Sequence, residues 1–373
     1  MAQPALFTPL KIRNHELRNR IVIAPMCQYS AVDGCMTDWH VIHLGHLALS
    51  GAALLTIEAT AVVPEGRITY GDTGLYDEAT ERAMGKVLES VRRWSDMPIA
   101  LQLAHAGRKA STEVPWKGGK QIAPGAVNGW QTVSASNLPF LDSDVAPTAL
   151  DREGMKRVRE GFADAARRAA RLGIGVVQIH GAHGYLLHQF LSPLSNRRTD
   201  EYGGSLENRL RFPLEVFDAV RAAFPDTKPV GVKVSSTDWV DGGWDIEQTI
   251  GFAHELKKRG VDWIDASSGG VSPQQKIPLG PGYQVPFAQA IKQATGLTTI
   301  AVGLITEARQ AEEIIASGKA DMVALARAML YDPRWGWHAA AELGGQVSAP
   351  PQYWRSQPST QKALFGATTF GTR

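Results

Sequence analysis

Eight short apolar runs, separated by longer stretches of helical periodicity, recur along this chain of 373 residues. They cover residues 20–25, 54–60, 99–103, 176–179, 230–234, 263–266, 299–302 and 322–325. Several are almost wholly apolar, the pattern of parallel strands covered on both faces. Between them, residues 80–94, 151–171, 206–223, 246–259 and 306–316 repeat apolar side chains at helical spacing. Parallel neighbours need long crossover connections, so this alternation implies an α/β fold with a parallel sheet. With about eight units, the expected architecture is a single (β/α)8 TIM barrel. An open doubly wound sheet is the structural rival. Residues 110–146, rich in Gly, Pro, Ser and Trp, read as a long excursion after the third strand, of the kind that shapes binding sites. Residues 348–373 read as a C-terminal tail, frayed or docked, with aromatic residues at Tyr353, Trp354, Phe365 and Phe370.

Composition narrows the function classes. The chain is 44% hydrophobic and 20% charged with net charge +2, and no basic stripe marks a nucleic-acid partner. The most apolar region, 47–63, contains Ser50, Gly51 and Glu58 and reads as helix end, turn and strand, not as a membrane span. The first twenty residues carry no apolar core of a secretory signal. Cys27 and Cys35 form no disulfide framework, which fits a cytoplasmic location.

In such a barrel, chemistry collects at the carboxyl ends of the strands. There the sequence offers Met26, Cys27, Gln28 and Tyr29; then Glu58 and Ala59; then Gln102, His105, Gly107 and Arg108. The fourth strand leads into His180-Gly181-Ala182-His183-Gly184-Tyr185, two imidazoles and a phenol within six residues. Lys233 interrupts the fifth strand, Ser267-Ser268-Gly269-Gly270 ends the sixth, Gly303 the seventh, and Ala326-Arg327 the eighth. Gly303 and Arg327 suit a phosphate after strands seven and eight, or are a turn residue and a surface ion-pair partner. Lys233 is either a cation inside the barrel or a strand-end lysine reaching solvent. The His180/His183 pair could bind metal, but its turn holds no Asp or Glu and the cysteines are remote in sequence. Cys27 has no base beside it to make a nucleophile. Gly173-x-Gly175 precedes a strand and lacks a third glycine, so it is not a dinucleotide fingerprint.

Taken in order, four motifs resemble the old yellow enzymes: Ala24-Pro25-Met26-Cys27-Gln28-Tyr29, Gln102-Leu103-Ala104-His105-Ala106-Gly107-Arg108-Lys109, the 180–185 turn, and residues 191–205 beginning Leu191-Ser192-Pro193. Cys27 with Tyr29 resembles the thermophilic-like, xenobiotic-reductase subclass. The similarity runs from about Leu6 to Arg355. It implies an FMN-binding barrel domain over 1–355, with 356–373 as a tail of unassigned role. It implies noncovalent FMN, NADPH or NADH as donor, and reduction of activated alkenes such as enones and enals. Ala24, Pro25, Met26 and Cys27 would lie along the flavin. Ala59 and Gln102 would meet its pyrimidine edge, and Gly303, Ala326 and Arg327 its phosphate. Lys233 would carry positive charge near the flavin N1/O2 edge, where many relatives have arginine. His180 and His183 would hold the substrate oxygen, Tyr185 would donate the proton, and Tyr29 would contact substrate. A homodimer is implied, pairing further or not, with Arg355 reaching the neighbouring subunit's site. The resemblance implies no metal site. A metal-dependent lyase or hydrolase built on His180 and His183, and a noncatalytic flavin-binding protein, are the alternatives.

Overall fold

The computed structural model describes residues 3–368; residues 369–373, Phe370 among them, lie outside the described residues. Eight strands form the barrel: β1 (Ile21–Ile23), β2 (Leu54–Ala61), β3 (Ile99–Ala104), β4 (Val176–Gly181), β5 (Val230–Ser235), β6 (Trp263–Ser267), β7 (Thr298–Ala301) and β8 (Met322–Leu325). Each pairs in parallel with its sequence neighbours, and β8 pairs with β1 through Val323 opposite Ile21. That last pairing closes the sheet and decides between the barrel and its open rival.

The crossover helices are α1 (Asp38–Leu47), α2 (Glu78–Arg92), α3 (Arg152–Arg171), α5 (Leu206–Ala223), α6 (Ile246–Lys258), α7 (Val285–Thr295) and α8 (Ala308–Ala316), with short α4 (Leu186–Leu191) ahead of α5 and with α9 (Arg327–Tyr331) and α10 (Trp335–Leu343) after β8. Their starts follow the cap chemistry. The Asp77 carboxylate accepts from Thr80 N at 2.8 Å, so α2 begins at Glu78, two residues before the apolar pattern suggests. Asp151, Ser205 and Asp245 cap α3, α5 and α6 in the same way. The strands run a residue or two beyond the apolar runs in several cases; His180 and Gly181 belong to β4 itself.

A floor closes the amino-terminal end of the barrel. A hairpin, Leu10–Ile12 paired antiparallel with His15–Leu17, inserts Ile12 and Leu17 beneath Val22, Leu54, Ala100, Val176, Ile300 and Met322. Trp263 fills the remaining space by lying over Gly231: a Cβ on Gly231 would sit 1.9 Å from the indole. Above this apolar floor the inward positions turn polar, with Gln102, Gln178, Lys233 and Asp265 all buried. The excursion after β3 carries one small parallel pair, Val133–Ser134 with Thr148–Ala149, and is anchored by Arg108, which donates to the carbonyls of Leu138, Pro139 and Val271. In the tail, Leu364 and Phe365 are buried, and the Phe365 ring packs edge-on against Trp337 of α10 at 4.9 Å. No helix among the described residues is long and apolar enough to cross a membrane.

Gly231→Ala should force Trp263 off the floor and lower stability by about 2 kcal/mol in urea unfolding. A change below about 0.5 kcal/mol would show that the indole does not depend on that glycine.

Candidate active site

At the carboxyl end of the barrel a cavity of about 290 Å³ opens between the strand ends. Residues from all eight strand ends line it, among them Ala24, Pro25, Cys27, Ala59, Gln102, His180, His183, Tyr185, Lys233, Gly303, Ala326 and Arg327. Parallel register explains the convergence: His180, Lys233 and Asp265 are direct neighbours across β4, β5 and β6.

The turn after β4 holds its rings by backbone geometry. His183 and Gly184 both adopt positive φ, +58° and +73°. Gly184 is required there, because a Cβ would meet Gly270 O at 2.1 Å. The His183 N–H donates to Ser235 Oγ at 2.9 Å. The Gly184 N–H donates to Nδ1 of His188, whose other nitrogen faces Asp238 at 2.9 Å in a fully buried pair. Lys109 Nζ donates to the carbonyls of both His183 and Gly270, at 2.9 Å each, and ties the β4 turn to the β6 loop. The result sets the His180 ring edge-on to His183 at 5.1 Å and to Tyr185 at 4.9 Å between centroids.

Charge around this turn is controlled by burial. Desolvation, then the nearby Lys233 ammonium, pushes His180 well below its ordinary value. Burial, then His180 and Lys233, does the same to His183. Burial pushes the Tyr185 phenol well above its ordinary value, with smaller contributions from Cys27 and Tyr29. The turn therefore presents two neutral imidazoles and a protonated phenol at neutral pH. Lys109 is itself pushed down to about 8, by burial and then by Arg108.

Beneath the cavity runs a buried polar ladder. Gln102 Nε2 donates to Gln178 Oε1 at 2.7 Å, Gln178 Nε2 donates to Asp265 Oδ2 at 3.2 Å, and Lys233 Nζ donates to the same oxygen at 2.7 Å. Lys233 is a cation inside the barrel, held by a carboxylate; it does not reach out to solvent. Removing one partner of such a pair costs on the order of 3–5 kcal/mol. At the far end, Gly303 and Leu304 both have positive φ, +115° and +50°, and their N–H groups find no backbone acceptor among the described residues. Arg327 sits beside them with no ion pair or hydrogen bond to any described side chain. Free N–H groups next to an unpaired guanidinium form an anion site.

Residues 5–345 match the sequence profile of the NADH:flavin oxidoreductase / NADH oxidase family. This chain belongs to that family. It is 43% identical over 352 residues to the NADPH dehydrogenase of Geobacillus thermodenitrificans, covering 94% of this chain and 98% of that one. Among solved structures it is similar to morphinone reductase, with a TM-score of 0.74 at 30% identity, covering 96% of this chain and 93% of the other. A structure of morphinone reductase in complex with tetrahydroNAD gives 0.73 at 29%, covering 96% and 94%. The protein is an old yellow enzyme-type, FMN-dependent oxidoreductase that takes electrons from a nicotinamide donor.

The family's cofactor fits the cavity's chemistry. FMN needs an apolar wall, a polar edge and an anion site, and Ala24, Pro25 and Ala324, then Gln102 and Lys233, then Gly303 and Arg327 offer these in turn. The Lys233 ammonium spends one hydrogen bond on Asp265 and keeps the others for a ligand edge. Among the described residues no cluster of three or more His, Cys, Asp or Glu is placed to hold a metal ion, and His183 Nε2 is engaged by Ser267 Oγ at 2.7 Å. Cys27 faces the cavity as a thiol, pushed well above its ordinary value by burial and then by Asp72 and Glu58. Glu58 accepts from Gln28 N at 2.7 Å and so fixes the loop that sets Tyr29 at φ +51°.

Two sequence expectations fall outside this cavity. Met26 does not line it; its side chain packs against the outer core. Arg355 lies in an exposed 3-10 turn, Pro351–Ser356, and does not enter the site of its own chain. Tyr29 lines an adjoining cleft with Lys109, Phe140 and Tyr185. Sequence reasoning gave no role to Lys109, Ser267, Asp265, Tyr283 or Gln284. For Asp265 a signal existed, a lone carboxylate inside an apolar strand.

With neutral imidazoles and a protonated phenol, kcat/KM for a neutral substrate should show no inflection near pH 6.5, any change at higher pH belonging to Lys109, which is pushed down to about 8. A rise or fall centred near 6.5 would mean that His180 or His183 carries an exposed histidine's charge.

Proposed function

We propose that this oxidoreductase is an ene-reductase acting on activated C=C bonds of α,β-unsaturated carbonyls. The observation that carries the reading is the pair of neutral imidazoles beside a protonated phenol over the cavity. Bound FMN supplies hydride equivalents drawn from NADPH or NADH. The chain's own residues do the rest. His180 and His183 donate hydrogen bonds to the carbonyl oxygen, whose negative charge grows as the alkene is reduced. Tyr185 gives the proton to the α-carbon, and burial keeps that proton available. Ala24, Pro25 and Cys27 bind along the flavin; Ala59, Gln102 and Lys233 meet its pyrimidine edge; Gly303, Ala326 and Arg327 take its phosphate. Tyr29 contacts substrate from the adjoining cleft.

The same reading makes residues 1–355 the FMN domain with 356–373 appended, and makes the working form a cytoplasmic homodimer. Exposed apolar residues on and around α1 and α9 support a partner: Trp39 and Ile42, then Leu330 and the 95% exposed Tyr331. In that dimer Arg355 reaches the site of the second copy.

Pure protein should be yellow, bleach anaerobically with NADPH and recover its colour with 2-cyclohexenone. Colourless protein that cannot be reconstituted with FMN contradicts the assignment. Yellow protein that no alkene reoxidises points instead to a flavin-binding role without this chemistry. Tyr185→Phe should slow reoxidation by a poor enone about a hundredfold, more than it slows reduction by NADPH. Unchanged turnover with every enone would remove Tyr185 as proton donor.

A further inference from the structure

The two imidazoles over the cavity are held by opposite nitrogens. In His180, Nδ1 accepts from the Ala182 N–H at 3.2 Å, so a neutral ring carries its proton on Nε2. In His183, Nε2 is the engaged atom, 2.7 Å from Ser267 Oγ, and Nδ1 has no hydrogen-bond partner among the described residues. A neutral imidazole has a single N–H. If His183 Nε2 donates to Ser267, a lone pair on Nδ1 is left to repel any carbonyl oxygen in the cavity. If Ser267 donates to Nε2, the ring proton sits on Nδ1 and is free for a ligand.

Ser267 has one competing acceptor, Gln284 Oε1, at a longer 3.3 Å. That oxygen is already served by Ser268 Oγ at 2.6 Å. The Gln284 amide cannot turn over without loss, because its Nε2 donates to Val302 O at 3.2 Å. The shorter, less contested acceptor for the Ser267 proton is therefore His183 Nε2. We propose that Ser267, backed by Ser268 and Gln284, is a positioning residue that fixes the His183 tautomer with its proton on Nδ1, making this imidazole a donor to the ligand. Both rings then donate to one oxygen, His180 through Nε2 and His183 through Nδ1. That the oxygen belongs to an enone rests on the ene-reductase reading; the position of the ring proton does not.

The test uses FMN-loaded protein labelled with [15N]histidine, with His183 signals assigned by their loss in His183→Gln. Long-range 1H–15N correlation at about pH 8 should show His183 protonated on Nδ1 and His180 on Nε2. Ser267→Ala should leave His183 a mixture of tautomers and raise both the Kd for 4-hydroxybenzaldehyde and the KM for 2-cyclohexenone about tenfold. Ser267→Thr, which keeps the hydroxyl, should restore both. A wild-type His183 protonated on Nε2 overturns the proposal, as does a Ser267→Ala protein with unchanged 15N pattern and unchanged Kd. If the protein binds FMN but reduces no alkene, the ene-reductase reading fails while the tautomer result still decides the role of Ser267.

Discussion

Closing eight parallel strands on themselves brings all their carboxyl ends to one rim, and the rest of the structure depends on that closure. Residues as distant in sequence as Ala24 and Arg327 share one cavity because β8 pairs with β1. The opposite end must then be sealed, and the hairpin with Ile12 and Leu17, together with Trp263 over Gly231, does so with apolar side chains. Sealing the floor excludes water from below, so every polar group higher in the barrel sits where desolvation dominates its behaviour.

That dryness sets the electrostatics of the rim. Lys233 is tolerated because Asp265 faces it, and Asp265 in turn orients Gln178 and through it Gln102. The Lys233 charge adds to burial in keeping His180 and His183 neutral. Neutral donors suit an oxygen that gains charge during the reaction, since they polarise it without a standing ion pair to the resting substrate. The turn carrying them is fixed from three directions, by Ser235, by the His188–Asp238 pair and by the Lys109 bridge to Gly270.

Much of this was legible in the chain, for identifiable reasons. A buried parallel strand must be apolar along its length, so all eight runs stood out, and polar residues at their ends gave most of the cavity wall. The floor hairpin did not stand out, since strands of three residues carry no period to read. Ser267 was visible only as part of a Ser-Ser-Gly-Gly turn, and Gln284 comes from an irregular stretch whose path no pattern fixes. Met26 was placed by its neighbours' motif, whereas beyond the end of β1 the chain is irregular and its side chain packs against the outer core. Arg355, carried by an exposed turn away from the cavity, had no pattern in the sequence to mark it apart from the family resemblance.

The central claim is that two neutral imidazoles and one phenol converge on a single ligand atom pair above the flavin site. A crystal structure of the FMN-loaded protein with a bound phenol, whose oxygen stands in for the enolate, tests it most directly. The account predicts that oxygen within hydrogen-bond distance of both His180 Nε2 and His183 Nδ1, with the Tyr185 hydroxyl over the neighbouring ring carbon. A phenol held elsewhere in the cavity, or bonded to neither imidazole, would contradict it.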